Sequence, residues 1–334
     1  MYLLMRNNQN GRYHLKFDLL RHKFIAYILS FKILGWITGM VFFLIGEWYA
    51  VQNFLLTSSI MVLFGSLCIA FSSALINNIF DKTLDIFSRR PEKMMIFQYI
   101  SSKEMMINGF ILSLIGLVIF LFIDLTVFII GLVIMILSLL YSAPPVKLKI
   151  HPPFDCITNA LILGPLPFFL GWSTTKKIFT MTSIFYGIDS FLFILAFILI
   201  YTSLDIETDK KFGITTSCTK IGFTKSKILA IILFIISIIF AVFLLNLKTP
   251  FTLSILVTFP FFLLILKKTH HYQSDFAFVG YIIFIEYLIW MVIILFFLLI
   301  STLSILPILM LFIIFIWAYY QIMYIRKLYG HMLH

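Results

Sequence analysis

Charge is what this sequence has least of. Only 12% of its residues are charged and only 14 of 334 are acidic, whereas a soluble domain carries about a quarter charged residues. A scarcity of that degree, beside 62% hydrophobic residues, excludes an ordinary water-soluble fold. Cysteine is scarce as well: Cys68, Cys156 and Cys218 form neither a CxxC site nor a disulfide framework and read as small buried apolar residues. The seven histidines show no HxxxH or HExxH spacing, and His270-His271, after Lys267-Lys268, reads as interfacial polarity at a helix end. No long polar linker divides the chain. The basic segment 1–23 lacks the short apolar core and small-residue cleavage site of a removable signal peptide.

What is present in quantity is apolar sequence. Ten runs, at 24–46, 54–80, 105–123, 125–141, 157–172, 185–203, 227–245, 250–266, 277–300 and 304–323, approach or exceed the length of a membrane-crossing helix. About 20 helical residues suffice for a hydrocarbon core of ~30 Å. The fold expected is therefore all-α: a polytopic transmembrane helical bundle of nine or ten spans, residues 24–325, preceded by the basic segment 1–23.

Basic residues orient it. With both termini in the cytoplasm, 21 of the 25 Lys and Arg residues fall in loops on one side, leaving Lys176, Lys177 and Lys248 opposite and Lys32 inside the first run. The positive-inside rule favours this topology in a cell membrane. The net charge of +11 then follows from orientation and from attraction to the lipid bilayer, so no nucleic acid partner is implied. No residue pattern specifies an oligomeric state.

The few acids are not scattered. Six of the 14 lie in two stretches, "NNIFDKTLDIFSRRPEK" with Asp81, Asp85 and Glu92, and "YTSLDIETDKKFGITT" with Asp205, Glu207 and Asp209. The two are ~120 residues apart, yet the topology puts them in the same compartment. Residues four apart on a helix are offset by about 40° and rise ~6 Å, so Asn77, Asp81 and Asp85 form one oxygen stripe and Asp205 and Asp209 a second. Carboxylates at that spacing repel unless a cation offsets them. Mg²⁺ fits, because it takes one or two carboxylates together with substrate phosphates. Arg89, Arg90, Lys93, Lys210 and Lys211 are near enough in sequence to supply further positive charge to phosphate oxygens. Each stripe alone would read as ordinary helix-end ion pairing, Asp85 with Arg89 and Glu207 with Lys211. Two matched clusters on one side, with Asn77 a turn earlier, favour function.

These residues resemble the motifs of the UbiA superfamily of intramembrane prenyltransferases, NxxxDxxxD after the second helix and DxxxD after the sixth. "RRPEK" is similar to the Arg-Pro loop that follows the first motif, and "ISSKE" at 100–104 to the Ile-Ser opening the next helix. "YSAPPVKLK" at 141–149 is similar to the Tyr-Ser-x-Pro-Pro segment, and "DIETDKKFGITT" to the second motif with its Gly-Ile-x-Thr tail. The resemblance covers about residues 20–300. It implies a central lipid-lined cavity capped on the cytoplasmic side by the two aspartate-motif loops, with Mg²⁺ bridging aspartates to the diphosphate of an isoprenoid donor. On that reading Asn77, Asp81, Asp85, Asp205 and Asp209 hold metal. Tyr141 lies near the diphosphate or the reacting carbon, and Arg90 and Lys93 bind phosphate, with Asn78, Lys149, Asn159 and Lys210 as further substrate-binding positions. The chain departs from the family pattern at Met94, where proline is common, and at Thr202, Ser203 and Leu204, where several members carry acids or lysine. The tenth run also exceeds the usual nine helices.

The activity implied is Mg²⁺-dependent transfer of a prenyl group from an isoprenyl diphosphate donor to a lipophilic acceptor, a carotenoid, ether-lipid or quinone precursor, most like archaeal-type members. Asp155, in "HPPFDCITNA", reads either as a helix cap after Pro152-Pro153 or as an acceptor contact, and Asn159 as a functional polar group within the membrane. A transporter is the alternative, with Glu286 inside the ninth run and Pro165 and Pro167 interrupting the fifth. A CDP-alcohol phosphotransferase is excluded by the missing Asp-Gly-x2-Ala-Arg signature.

Overall fold

The computed structural model describes residues 11–31, 33–87, 91–245, 250–271 and 276–329. Among the described residues there is no strand; the chain runs through fifteen α-helices, one 3₁₀ turn and one π segment. In order these are α1 (Gly11–Ser30), α2 (Ile33–Val51), α3 (Leu56–Phe87), α4 (Pro91–Tyr99), α5 (Ser102–Ile123), α6 (Leu125–Ser142) and the 3₁₀ turn Leu148–Ile150. Then follow α7 (Phe154–Leu163), α8 (Pro165–Thr174), α9 (Met181–Ser203), α10 (Ile206–Lys211), α11 (Ser217–Ile221), α12 (Phe223–Phe240) and the π segment Ala241–Leu245. The last three helices are α13 (Pro250–His271), α14 (Phe276–Thr302) and α15 (Ile305–Tyr329).

Each of the ten apolar runs is helical, but the helices do not all begin and end where hydropathy alone places them. Six described stretches are long and apolar enough to cross a membrane: 56–86, 102–123, 125–142, 154–174, 181–203 and 223–243. A seventh is formed if 20–30 and 35–51, bent by 55° against each other, count together. The first run is thus two helices rather than one, and helix α1 extends back into the segment expected to be a polar extension. The run at 157–172 is divided as well. Gly164 separates α7 from α8, with Pro165 at the first position of α8, where its missing N–H costs nothing.

Single residues set other boundaries. Asp124 ends α5 and starts α6: its N–H donates to Phe120 O, while its side chain accepts from Thr126 N at 2.7 Å. One residue therefore makes the whole antiparallel turn. At the same end of the bundle Glu47, fully buried on α2, accepts from Leu55 N at 2.7 Å and from Ser59 Oγ at 2.6 Å. Its carboxylate meets the unsatisfied donors at the start of α3. This buried acid serves the helix that carries the first aspartate motif at its far end.

Helix packing relies on small residues where backbones meet. A methyl group on Gly46 would come within 2.0 Å of Phe168 O, and one on Gly171 within 1.9 Å of Phe43 O. Helices α2 and α8 thus touch backbone to backbone, the arrangement small residues permit in membranes. The aromatic residues are mainly packing and lipid contacts: Phe193 stands 4.8 Å from Trp290 and 5.4 Å from Phe234, ring centre to ring centre. Phe110 and Phe122 face outward from α5. Helix α9 buries most of its residues, whereas α5 and α6 bury few of theirs.

Helix α3 has 32 residues and so spans about 48 Å, more than the ~30 Å hydrocarbon core. Its asparagines and charged residues, Asn77 onward, gather in the final turns. The first aspartate motif lies there, on continuous helix rather than in a loop as the family likeness implied.

Candidate active site

The last three turns of α3 present Asn77, Asn78, Asp81 and Asp85. Asn77, Asn78 and Asp85 are buried and Asp81 is half-buried, so the predicted stripe faces the protein. Each carboxylate meets a lysine from another element. Lys149, on the 3₁₀ turn, is ion-paired with Asp81. Lys93, on α4, stands 3.0 Å from Asp85 Oδ2 and donates to Asn78 Oδ1 at 2.6 Å. Asp85 thus finds a cation on α4; its sequence neighbours Arg89 and Arg90 lie outside the described residues. Burial pushes the Lys149 ammonium below the ordinary lysine value, with Asp81 pulling it back up. Lys82 turns away, its ammonium 5.6 Å from the centre of the Phe97 ring.

The end of α6 closes on this stripe. Asn77 Nδ2 donates to Ser142 Oγ at 2.9 Å, which ties the Asn77 side chain to the end of α6. One residue earlier, Tyr141 accepts a hydrogen bond from Asn159 Nδ2 at 2.8 Å. Its phenol O–H thereby remains a donor.

The second motif departs from a simple continuation of the sixth run. Helix α9 stops at Ser203, and Asp205 precedes the separate six-residue α10. The one-turn relation survives, because Asp209 N donates to Asp205 O at 2.8 Å. Asp209 Oδ2 accepts from Thr216 Oγ1 over a long 3.4 Å, and Asp209 O accepts from Ile214 N at 2.8 Å. Lys210 and Lys211 are exposed on α10.

Contacts across α7 put both motifs at the same end of the bundle. Asp155, in the first turn of α7, makes no cap bond to its own helix. It accepts instead from Ser217 N at 2.7 Å and from the Ser217 hydroxyl, at the start of α11. A polar chain therefore runs from Asp81 and Lys149 through Asn77, Ser142 and Tyr141 to Asn159, Asp155, Ser217 and the loop holding Asp209. Sequence reasoning did not single out Ser142, Thr216 or Ser217. Ser142 lay within the quoted Tyr-Ser segment, but for Thr216 and Ser217 only the Ile-x-Thr tail offered a signal.

The residues that could hold a metal offer only oxygen: the carboxylates of Asp81, Asp85, Asp205 and Asp209 and the amide of Asn77. Among the described residues no three His, Cys, Asp or Glu side chains form a ready-made metal cage. Such a set suits a hard cation completed by substrate oxygens and does not suit zinc.

A helical membrane bundle with amide and carboxylate ligands gathered at one end, beside lysines from two other elements, has the layout of an intramembrane enzyme acting on a phosphorylated substrate. The sequence matches the UbiA prenyltransferase family over residues 37–285, and the chain belongs to that family, a multi-pass membrane prenyltransferase. No curated protein sequence gave a significant match. Solved structures share the fold. A UbiA homologue from Archaeoglobus fulgidus, bound to DMAPP and Mg²⁺, superposes with a TM-score of 0.62 at 19% identity, over 80% of this chain and 99% of that one. A digeranylgeranylglyceryl phosphate synthase gives 0.62 at 20% identity over 86% and 100%, and a homologue from Aeropyrum pernix K1 gives 0.63 at 16% over 78% and 97%. Family membership sets the transporter alternative aside.

Proposed function

We propose that the protein transfers a prenyl group from an isoprenyl diphosphate, in the presence of Mg²⁺, to a lipophilic acceptor within the membrane. The observation that carries the reading is the convergence of Asn77, Asp81 and Asp85 with Lys93 and Lys149, joined through α7 to the loop of Asp209. Similar structures bind DMAPP or GPP with Mg²⁺, which supports the same donor chemistry here.

In this reading the C–O bond of the allylic diphosphate breaks, diphosphate leaves with the electron pair, and the carbocation is captured by an electron-rich atom of the acceptor, which then loses a proton. Asn77, Asp81, Asp85, Asp205 and Asp209 are the residues that would hold the metal. Bound Mg²⁺ supplies positive charge to the departing diphosphate oxygens. Lys93 and Lys149 stand beside the carboxylates and add charge-assisted hydrogen bonds to the same oxygens, with Arg90 and Lys210 as outer contributors. Tyr141, held by Asn159, directs its hydroxyl toward the leaving group. The apolar bundle below Asn77 excludes water from the cation.

The lysine and arginine distribution supports an orientation with both termini and both motifs in the cytoplasm. Fold likeness to homologues from Archaeoglobus fulgidus and Aeropyrum pernix and to a digeranylgeranylglyceryl phosphate synthase supports an acceptor of ether-lipid or carotenoid type, with quinone precursors as the further class. The test is incubation of the purified protein with labelled prenyl diphosphates of graded length and a panel of acceptors, with and without Mg²⁺. Product is expected only with metal, and absence of transfer to every lipophilic acceptor would refute the proposal.

A further inference from the structure

Helix α11 has only five residues, 217–221, too few to persist without support from outside. Part of that support is local: Thr216 and Thr219 form a reciprocal capping box, with Thr216 N donating to Thr219 Oγ1 at 2.7 Å and Thr219 N to Thr216 Oγ1 at 3.3 Å. The remainder comes from 62 residues away, where both oxygens of Asp155 accept from Ser217. Asp155 is 3% exposed. A carboxylate buried to that degree is costly unless its oxygens are bonded, and here the bonds go to the N-terminal donors of another helix. The first turn of its own helix adds a favourable dipole.

Spacing gives this tie a second meaning. Asp155 and Asn159 are four apart on α7 and so share a face, one turn or about 6 Å apart. One grips α11 and the other grips Tyr141. We propose that Asp155 is a positioning residue for the second aspartate motif: by fixing Ser217 it holds the 212–216 loop, and Asp209 through Thr216, at a set distance from Tyr141. The inference rests on the proposed role of Asp209 as a metal ligand. Other ties on α11 run through the Cys218 thiol, 3.1 Å from Thr202 Oγ1 and 3.4 Å from Leu199 O, and thiol contacts are weak. The charge-assisted bonds are those of Asp155.

The test uses the full-length protein in lipid nanodiscs, with Asp155→Asn, Asp155→Ala and Ser217→Ala. Amide exchange over 212–221 should accelerate about tenfold in Asp155→Ala, the size of one lost charge-assisted hydrogen bond, while exchange in α3 and α5 stays unchanged. The Mg²⁺ concentration giving half-maximal transfer should rise by a similar factor, and excess Mg²⁺ should recover most of the rate. A general loss of stability lowers the active fraction without moving the metal requirement. Asp155→Ala combined with Ser217→Ala should be no worse than Asp155→Ala alone. Unchanged exchange in the loop, or full additivity of the two substitutions, overturns the proposal. Should Asp155→Ala fail to fold, the near-isosteric Asp155→Asn and Ser217→Ala decide it by the same exchange readout. Asp209→Ala run in parallel separates the two ideas: an unmoved metal requirement there refutes the ligand assignment, while the exchange data still judge Asp155.

Discussion

Asn159 donates its amide N–H to the Tyr141 hydroxyl at 2.8 Å, joining α7 to the last turn of α6. The bond orients a phenol beside the first aspartate stripe, so removing either partner should harm the same step. Tyr141→Phe and Asn159→Leu are each expected to lower single-turnover prenyl transfer by about tenfold, the size of one buried hydrogen bond. The double variant should be little worse than either single one. Equal, fully additive losses would show that the two residues act separately.

Loss of a proposed metal ligand should be more severe. Asp81→Ala and Asp209→Ala are expected to reduce transfer by about 10²-fold or more, the scale of losing one charge-stabilising group in a reaction centre. The helical circular dichroism spectrum and the monodispersity in detergent should be retained. Full turnover by both variants would remove the metal bridge between the motifs.

The lysines should separate binding from chemistry. Lys93→Gln removes both an ion pair with Asp85 and a hydrogen bond to Asn78, and Lys149→Gln removes the partner of Asp81. Each should raise the donor KM by about 10- to 100-fold, as expected for a charge-assisted bond to phosphate, with a smaller change in kcat. Titration of donor against initial rate measures this. An unchanged KM in both would place the diphosphate elsewhere.

Stability should be most sensitive where backbones touch. Gly171→Ala would set a methyl group 1.9 Å from Phe43 O, and neither backbone can withdraw without separating α2 from α8. A loss of about 2 kcal/mol or more is expected, at the upper end of overpacking effects, seen as a clear fall in thermal midpoint in detergent. Gly213→Ala meets no atom within 4 Å but has φ +65°, so its effect should be confined to backbone strain.

The parts of the molecule that the sequence made legible are those written in local repetition. Hydropathy located each apolar run because lipid exposure is read residue by residue, and the Asn77, Asp81, Asp85 spacing held because all three sit on one unbroken helix. Boundaries fared worse where one residue decides them. Gly164 and Pro165 split a run that hydropathy joins, and the first run breaks between Ser30 and Ile33. The helical spacing of Asp205 and Asp209 did not say whether their turn continues the span; the chain leaves α9 after Ser203 and restarts as α10. The spacing from 205 to 209 is the same in either arrangement, so periodicity alone had no means of separating them.

Glu47 and Asp155 illustrate the remaining gap. Glu47 stands alone in apolar sequence, and the Pro152-Pro153 pair before Asp155 pointed to a cap on its own helix rather than on another. Glu47 caps α3 from α2, and Asp155 caps α11 from α7. In each case a serine hydroxyl joins a backbone N–H as partner, and every residue but proline has such an N–H, so sequence cannot announce which will be met.

By itself the sequence determined a helical membrane protein with two acid-bearing turns in one compartment, since hydrophobic length and charge bias act along the chain. Only the tertiary structure decided that Lys149 meets Asp81, that Asn159 holds Tyr141, and that Asp155 reaches Ser217. Those pairings depend on which helix ends lie side by side, and that is set by the close packing of the whole bundle.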